Sequence, residues 1–142
     1  MPTPVKRLHA TRQRAAINAA LEGAKGPLSA EEVWKLARKA KPGIGLRTVF
    51  RNLQEQVDEQ VLLRVVFPGQ PPRYEKPSPR HHPHFVCLKC SGVFDLPGET
   101  PDVRGQCELP AGFEAVGSEV TLFGYCAECA GASAGAGKKA GR

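Results

Sequence analysis

The sequence predicts an α+β fold made of two small domains, and three observations support this prediction. Apolar residues recur at helical spacing up to Val57, and short β-branched or alternating segments follow them. A proline-spaced linker at 76–81 separates a first domain, 1–75, from a second domain, 82–130. The second domain contains two Cys-x-x-Cys motifs. Because so short a domain buries little apolar surface, a bound metal ion would help to stabilise it.

Three helices are predicted in the first domain. Thr11 is expected to cap the first, which ends at Gly23. Residues 29–32 read S-A-E-E, a capping box that opens the second helix, and Pro42-Gly43 ends it. The third begins near Gly45. The residues expected to face inward are Ala16, Ile17, Ala20 and Leu21, then Val33, Leu36, Ala37 and Ala40, then Leu46, Val49, Phe50, Leu53 and Val57.

A β-hairpin is predicted after the third helix. Val61 to Phe67 is rich in β-branched residues, residues 68–71 have turn composition, and Arg73 to Glu75 can return as a second strand. Three helices followed by a hairpin form the winged-helix arrangement, and in the related helix-turn-helix proteins the later helix enters the major groove of DNA. The polar face of that helix carries Arg47, Thr48, Arg51, Asn52 and Glu55.

The distribution of charge supports a polyanion-binding first domain. Residues 1–64 contain 12 Lys and Arg against 6 Asp and Glu, whereas residues 65–130 contain 5 against 8. A solvated helical surface is the alternative explanation. Residues 131–142 are rich in Gly, Ala and Lys and are predicted to be a disordered basic tail.

The thiol chemistry depends on the compartment, which we expect to be the cytoplasm. No run of 18 apolar residues suggests a membrane span, and no apolar stretch follows the basic N-terminus as in a secretory signal. Cytosolic thiols stay reduced, so paired Cys-x-x-Cys motifs there indicate a metal site.

Short elements are predicted in the second domain. Residues 84–96 are expected to form two strands around the first Cys-x-x-Cys motif, and Glu114 to Tyr125 one or two more. Between them, prolines and glycines in 97–112 permit only a short helix.

Four cysteines, Cys87, Cys90, Cys126 and Cys129, supply a complete tetrahedral ligand set for zinc. Such a closed site is structural. Since 35 residues separate the two motifs, zinc would hold the ends of the second domain together. The alternative is four buried or redox-pairing cysteines. Cys107 lacks a paired partner and is expected to be a packed or partly exposed thiol.

The histidines suggest a second metal site. His82 and His84 are two residues apart, so on an extended strand they point to one side and His81 to the other. With the carboxylates of Glu75 and Asp95 they would form a mixed nitrogen and oxygen site, which suits Fe(II), Mn(II), Ni(II) or Zn(II). A metal held by all four would bridge the two domains and set the angle between them. The alternative is a surface histidine cluster without a ligand role.

The chain resembles the ferric uptake regulator (Fur) family over residues 11–129. Six stretches in order carry the resemblance: TRQR at 11–14, LSAEEV at 28–33, GLRTVFRNL at 45–53, RYE at 73–75, HHPHFVCLKC at 81–90 and LFGYCAEC at 122–129. The resemblance implies a homodimer with winged-helix DNA-binding domains and an α/β dimerisation domain. It also implies that the metal-bound protein binds palindromic operators on double-stranded DNA and represses metal-uptake or stress genes.

Several residue roles follow from the resemblance. The recognition helix would run from Gly45 to about Gln56, with a Phe at position 50 where the family commonly has Tyr. The structural Zn2+ would lie on the four cysteines. The residues expected at DNA are Arg47, Thr48, Arg51, Asn52 and, in the first helix, Arg14.

The regulatory site implied by the resemblance is Glu75, His82, His84 and Asp95, holding Fe2+, Mn2+ or Zn2+. A further histidine ligand of the family falls on Pro27, which cannot ligate. The site is therefore four-coordinate, or His9 or water completes it. An additional site of some members maps onto His81, with partners at Pro83, Asp102 and Ser118, so His81 and Asp102 remain candidates.

Two alternatives to a metal-responsive repressor stay open. The loss of a ligand at Pro27 is compatible with a zinc-held winged-helix regulator that is redox-gated or constitutive. A metalloenzyme would use the histidine and carboxylate site as a Lewis acid. Since the sequence offers no paired general base and no nucleophile motif, we predict no catalytic residue, no enzyme activity and no small organic substrate.

Overall fold

The computed structural model describes residues 4–133, which form two compact units that divide between Ser78 and Pro79. The division lies inside the predicted linker. We call residues 4–78 unit one and residues 79–133 unit two. Of the predicted disordered tail, residues 131–133 belong to a helix, and residues 134–142 lie outside the described residues.

Unit one contains three helices: α1 (Pro4–Glu22), α2 (Ala30–Ala40) and α3 (Leu46–Asp58). The predicted cap at Thr11 is wrong, because α1 begins at Pro4, whose fixed φ suits the first position of a helix, and Thr11 lies inside it. The predicted capping box is confirmed. The backbone N–H of Glu32 donates to Oγ of Ser29 at 3.3 Å, and the backbone N–H of Ser29 donates to Oε2 of Glu32 at 2.8 Å.

A three-stranded antiparallel sheet completes unit one. Its strands are β1 (Leu28–Ser29), β2 (Leu63–Val65) and β3 (Arg73–Glu75), in the order β1-β3-β2. The hairpin of β2 and β3 is the predicted wing, although β2 is shorter than predicted. Arg73 attaches this wing to the start of α2, since its buried guanidinium donates to Oε2 of Glu32 at 2.6 Å and to the carbonyl of Pro27 at 3.0 Å.

Three helical residues that were predicted to face inward are exposed in unit one. They are Leu36 and Ala40 of α2 and Phe50 of α3. The reason is geometric: α3 turns Val49, Leu53 and Gln56 inward, at spacings i, i+4 and i+7, so Phe50 lies off the buried face. The other buried apolar residues of this core are Ala16, Ile17, Ala30, Val33, Ala37, Ile44, Leu62 and Tyr74.

Unit two is a small sheet with short helices. Its strands are β4 (His84–Cys87), β5 (Val93–Asp95) and β6 (Thr121–Gly124), in the order β5-β4-β6. β4 pairs antiparallel with β5 and parallel with β6. A 3-10 turn covers Arg104–Gln106, and α4 covers Ala127–Ser133. The predicted strands in 84–96 are confirmed, and the segment 114–125 forms one strand.

The buried core of unit two is very small. Among its described residues only Val86, Cys87 and Val93 are buried. Apolar packing alone therefore contributes little to the stability of this unit. Within residues 4–133, no helix has the length and apolar character needed to cross a membrane.

Candidate metal centres and nucleic-acid surface

Four thiols meet in unit two. Cys87 ends β4, Cys90 follows in the turn, and Cys126 and Cys129 lie at the start of α4. Their sulfur atoms all lie within 4.8 Å of one another, the Sγ atoms of Cys90 and Cys126 are 3.9 Å apart, and none is in a disulfide. Four sulfurs around zinc at ~2.3 Å would be separated by about 3.8 Å. The cluster therefore fits a structural zinc ion, as the sequence predicts.

The surroundings shift the pKa values of two of these thiols in opposite directions. Backbone N–H groups, first that of Cys126 at 3.4 Å and then that of Cys90, lower the pKa of Cys87 to about 6. The neighbouring sulfur of Cys126 raises the pKa of Cys129 to about 12. Four thiols this close do not all ionise without a compensating charge. A divalent cation would supply that charge and favour four thiolates.

A glycine that the sequence analysis did not single out supports this cluster. A Cβ atom on Gly92 would lie 3.1 Å from the ring of Phe94 and 3.3 Å from Sγ of Cys90. The sequence signal that could have identified Gly92 is its position two residues after Cys90. Cys107, in contrast, is exposed and lies outside the thiol cluster.

Two imidazoles converge on one carboxylate in unit two. Nε2 of His82 lies 3.0 Å from Oδ1 of Asp95, and Nε2 of His84 lies 3.4 Å from the same oxygen. The ring centroids are 4.8 Å apart, and both Nε2 atoms are buried. The sheet places these groups, since His84 is paired directly with Asp95 between β4 and β5. Two nitrogens and an oxygen this close form a chelating set for a divalent transition metal.

The remaining predicted groups of this site belong to unit one. Glu75 is half-buried at the end of β3, and its role as a ligand stays a prediction. His9 lies exposed in α1. Pro27 is buried, and its carbonyl accepts the hydrogen bond from Arg73.

The candidate pair His81 and Asp102 is not brought together with other ligands. The carboxylate of Asp102 accepts from Nε of Arg104 at 2.8 Å and from Nη2 of Arg104 at 2.7 Å. These hydrogen bonds lower the pKa of the Asp102 carboxyl to about 2. Neither residue joins a cluster of candidate ligands in the described part of the chain. The carboxylate of Asp102 is already neutralised by a guanidinium, which does not support a metal site there.

The predicted DNA surface lies on the outer face of α3. Arg47 and Arg51 are exposed one turn apart, and Phe50 is 48% exposed between them. Thr48 and Asn52 are half-buried beside this face and are also one turn apart. The exposed phenyl ring was missed because its spacing fits an apolar helical stripe equally well.

Arg14 makes an intramolecular ion pair. Its guanidinium donates to both carboxylate oxygens of Glu59, at 2.5 and 3.3 Å, and this pairing raises the pKa of Arg14. The pair joins α1 to the residue that follows α3. A contact of Arg14 with DNA would therefore compete with the ion pair.

Together, a winged-helix unit with a basic outer face and a unit with two sets of candidate metal ligands are typical of a metal-binding, DNA-binding protein. The model of the ferric uptake regulator family matches residues 6–123. The chain belongs to the ferric uptake regulator family. Its members are metal-responsive transcriptional regulators and not enzymes, and they bind zinc structurally and iron, manganese or zinc for regulation.

Individual relatives agree with this assignment. The chain is 30% identical over 136 residues to the ferric uptake regulation protein of Bacillus subtilis (strain 168), over 89% of this chain and 91% of that protein. It is 29% identical over 123 residues to the zinc uptake regulation protein of Mycobacterium tuberculosis, over 86% and 95%. The crystal structure of the Vibrio cholerae ferric uptake regulator is similar with a TM-score of 0.60 and 28% identity, over 80% of this chain and 88% of that one.

Proposed function

We propose that the chain is a homodimeric, cytoplasmic repressor that binds palindromic operators through α3 when a divalent metal occupies the site at His82, His84 and Asp95. The proposal rests chiefly on one observation, the convergence of two buried Nε2 atoms on Oδ1 of Asp95. In a surface histidine cluster without a ligand role, both nitrogens would stay in contact with water, because burying polar atoms costs free energy.

The regulatory ligand set would comprise these three residues and Glu75, which the sequence places just before the linker. Imidazole and carboxylate ligands accept Fe2+, Mn2+ and Zn2+, and cellular availability decides among them. The two units are joined through residues 76–81, so a metal bound by ligands from both would restrict the orientation of the winged-helix unit. Such a restriction would favour the dimer geometry that fits an operator.

The DNA contacts would come from the outer face of α3. Arg47 and Arg51 carry charge to the phosphates or to guanine edges, and Thr48 and Asn52 offer hydrogen bonds from the same side. Phe50 supplies an exposed apolar ring, which suits contact with a thymine methyl group.

The homodimer would use the apolar surface of unit two. Several large apolar side chains there are 47% to 89% exposed, an unusual amount beside a core of three buried residues. They are Leu88, Leu109, Phe113, Val116, Leu122, Phe123 and Tyr125. A second copy of the chain would cover such a surface, and a palindromic operator matches the two-fold symmetry of the resulting dimer.

The decisive experiment compares Asp95→Asn with Asp102→Asn. Both remove one carboxylate charge from unit two, but only Asp95 faces the two imidazoles. An operator selected from random DNA would be titrated at fixed salt with Fe2+, Mn2+ and Zn2+ in turn. We expect Asp95→Asn to weaken metal-dependent binding at least about 10-fold and Asp102→Asn to leave it unchanged.

Two results would contradict the proposal. Operator binding by the wild-type protein that is independent of added metal, with the zinc cluster intact, would remove the sensing role. A variant Arg51→Ala that binds the operator as tightly as the wild type would remove the role of α3, since arginine contacts to bases contribute about 1–3 kcal/mol each.

A further inference from the structure

Gln56 is a buried polar residue of α3 that neither the core nor the function proposed above explains. Its side chain is 1% exposed and lies on the inward face with Val49 and Leu53. Its Oε1 atom is buried and has no hydrogen-bond partner among the described residues. A methionine or leucine would fill this position without burying an unsatisfied oxygen, so packing alone does not account for a glutamine here.

The hydrogen bond of Gln56 points to its role. Its Nε2 donates to Oδ1 of Asn52 at 2.8 Å, one helical turn earlier. The backbone of Gln56 is fixed at the same time, because its carbonyl accepts from the N–H groups of Val61 at 2.9 Å and Leu62 at 3.1 Å. The donor that holds Asn52 is therefore itself held by the turn that leads from α3 towards β2.

Asn52 lies at the border between the core and the proposed DNA face. It is half-buried, one turn after Thr48 and next to the exposed Arg51. Residues four apart on a helix are neighbours on its surface, so Gln56 reaches Asn52 from the buried side. The opposite face of the Asn52 amide is the one available to a ligand of α3.

We propose that Gln56 is a positioning residue that fixes the amide of Asn52 so that Asn52 offers its NH2 group, and not its oxygen, to DNA. This proposal rests on the proposed DNA-binding role of α3. Reversing both amides would place the two donors of the Gln56 NH2 group where the single oxygen Oε1 now lies. A buried NH2 group without acceptors is less favourable than a buried carbonyl oxygen, so the orientation described here is preferred.

The orientation restricts what Asn52 can read. An asparagine recognises adenine by donating to N7 and accepting from the N6 amine, which requires both of its polar atoms. Because Gln56 holds Oδ1 on the buried side, the NH2 group is the part of Asn52 that is directed away from the core. That group suits an acceptor atom, either a phosphate oxygen or a base acceptor such as guanine O6 or thymine O4.

The test is a double-mutant cycle of Gln56→Met and Asn52→Ala in the full-length, metal-loaded protein, with an operator selected by the wild-type chain from random DNA. We expect Gln56→Met to weaken operator binding about 3- to 10-fold. Its Tm should stay the same or rise, because an unsatisfied buried oxygen is removed. In the Asn52→Ala background the substitution of Gln56 should have no further effect on binding.

A base acceptor and a phosphate oxygen, as partners of Asn52, would give different patterns of operator affinity. If Asn52 meets a base, a scan of single base-pair substitutions will show that Gln56→Met loses discrimination at one position in each half-site. If Asn52 meets a phosphate, affinity will fall equally for all operators, and a methylphosphonate at one position will remove the difference between the two proteins.

Several results would overturn the inference. One is unchanged operator binding by Gln56→Met and by Gln56→Leu, and another is an equal loss with and without Asn52. A purely structural role would lower the Tm together with the affinity, which would also overturn it. If Gln56→Met leaves operator binding unchanged while Arg51→Ala weakens it in the same assay, the proposed function stands and this inference fails. If the wild-type chain selects no operator, the proposed function itself fails.

Discussion

Removal of zinc should unfold unit two and leave unit one intact. The perturbation is Cys129→Ser, or a strong chelator on the wild type. Cys129 is part of a cluster whose sulfur atoms all lie within 4.8 Å of one another, so a serine there breaks a closed tetrahedral site. The matched control is Cys107→Ser, because Cys107 is exposed and lies outside the cluster.

The magnitude follows from how little else holds unit two. Its described core consists of Val86, Val93 and the candidate ligand Cys87. Full burial of a valine contributes roughly 1.5–3 kcal/mol, whereas structural zinc binds small domains with apparent free energies of about 10–16 kcal/mol at neutral pH. The metal therefore contributes more than the two valines together, and its loss exceeds what a small domain has in reserve.

Two probes separate the units in a single sample. Trp34, the only tryptophan, belongs to unit one, where its indole N–H donates to the carbonyl of Ile44 at 3.0 Å. Amide hydrogen exchange in β4 and β6 reports on unit two. We expect Cys129→Ser to lose protection in both strands while the fluorescence of Trp34 stays unchanged. Retained protection in β4 without zinc would refute the reasoning, and so would simultaneous unfolding of unit one.

Three further predictions concern the two units separately. Ser29→Ala should destabilise unit one by about 1 kcal/mol, because it removes one half of the capping box, and a change in Tm below 2 °C would contradict this. Arg73→Met should cost roughly 2 kcal/mol in urea unfolding, since it leaves the carbonyl of Pro27 without its donor and removes the cation that pairs with the carboxylate of Glu32; a loss under 1 kcal/mol would contradict this. The pKa of Asp102 is depressed to about 2 by Arg104, so this ion pair stabilises the fold above about pH 4 and loses its effect as the pH falls through 2; an NMR titration midpoint near 4 would argue against it.

Much of the fold was predictable because its signals are local. The capping box at Ser29 and the turn before Gly45 define α2 and the start of α3 through backbone chemistry within a few residues. The predicted α+β fold class is confirmed. The start of α1 was not predictable from caps, because Thr11 is an equally good cap candidate and nothing local distinguishes it from Pro4.

The inward and outward faces were harder to predict, because burial depends on what a helix packs against. Two residues of α3 show this. The apolar ring of Phe50, which was predicted to face inward, is exposed, and the polar amide of Gln56 is buried. Periodicity treats an apolar residue as core and a polar residue as surface. The exposed ring of Phe50 and the buried amide of Gln56 both break that rule, as residues do where a helix serves more than packing.

The ligand clusters were predictable to different degrees. Spacing identified the four cysteines, since two Cys-x-x-Cys motifs leave few alternatives in a reduced chain. The approach of Asp95 to the histidines depends instead on strand register, because His84 is paired with Asp95 across the sheet. No sequence pattern gives that register. The ion pair of Asp102 with Arg104 likewise depends on the local backbone at the start of the 3-10 turn Arg104–Gln106, which the sequence does not specify.

The two candidate metal sites of unit two are connected through β4, and we expect loss of the cysteine site to affect the histidine site but not the reverse. Side chains alternate along a strand, so His84 and Cys87 lie on opposite faces of β4. Zinc on the four cysteines would join the end of β4 to Cys126, just after β6, and would support the pairing in which the N–H of His84 donates to the carbonyl of Val120 at 3.0 Å. Loss of zinc should therefore displace His84 and abolish regulatory metal binding. Loss of Asp95 should leave zinc in place, since the side-chain contacts of Asp95 in the described part of the chain are with His82 and His84 and not with the cysteines.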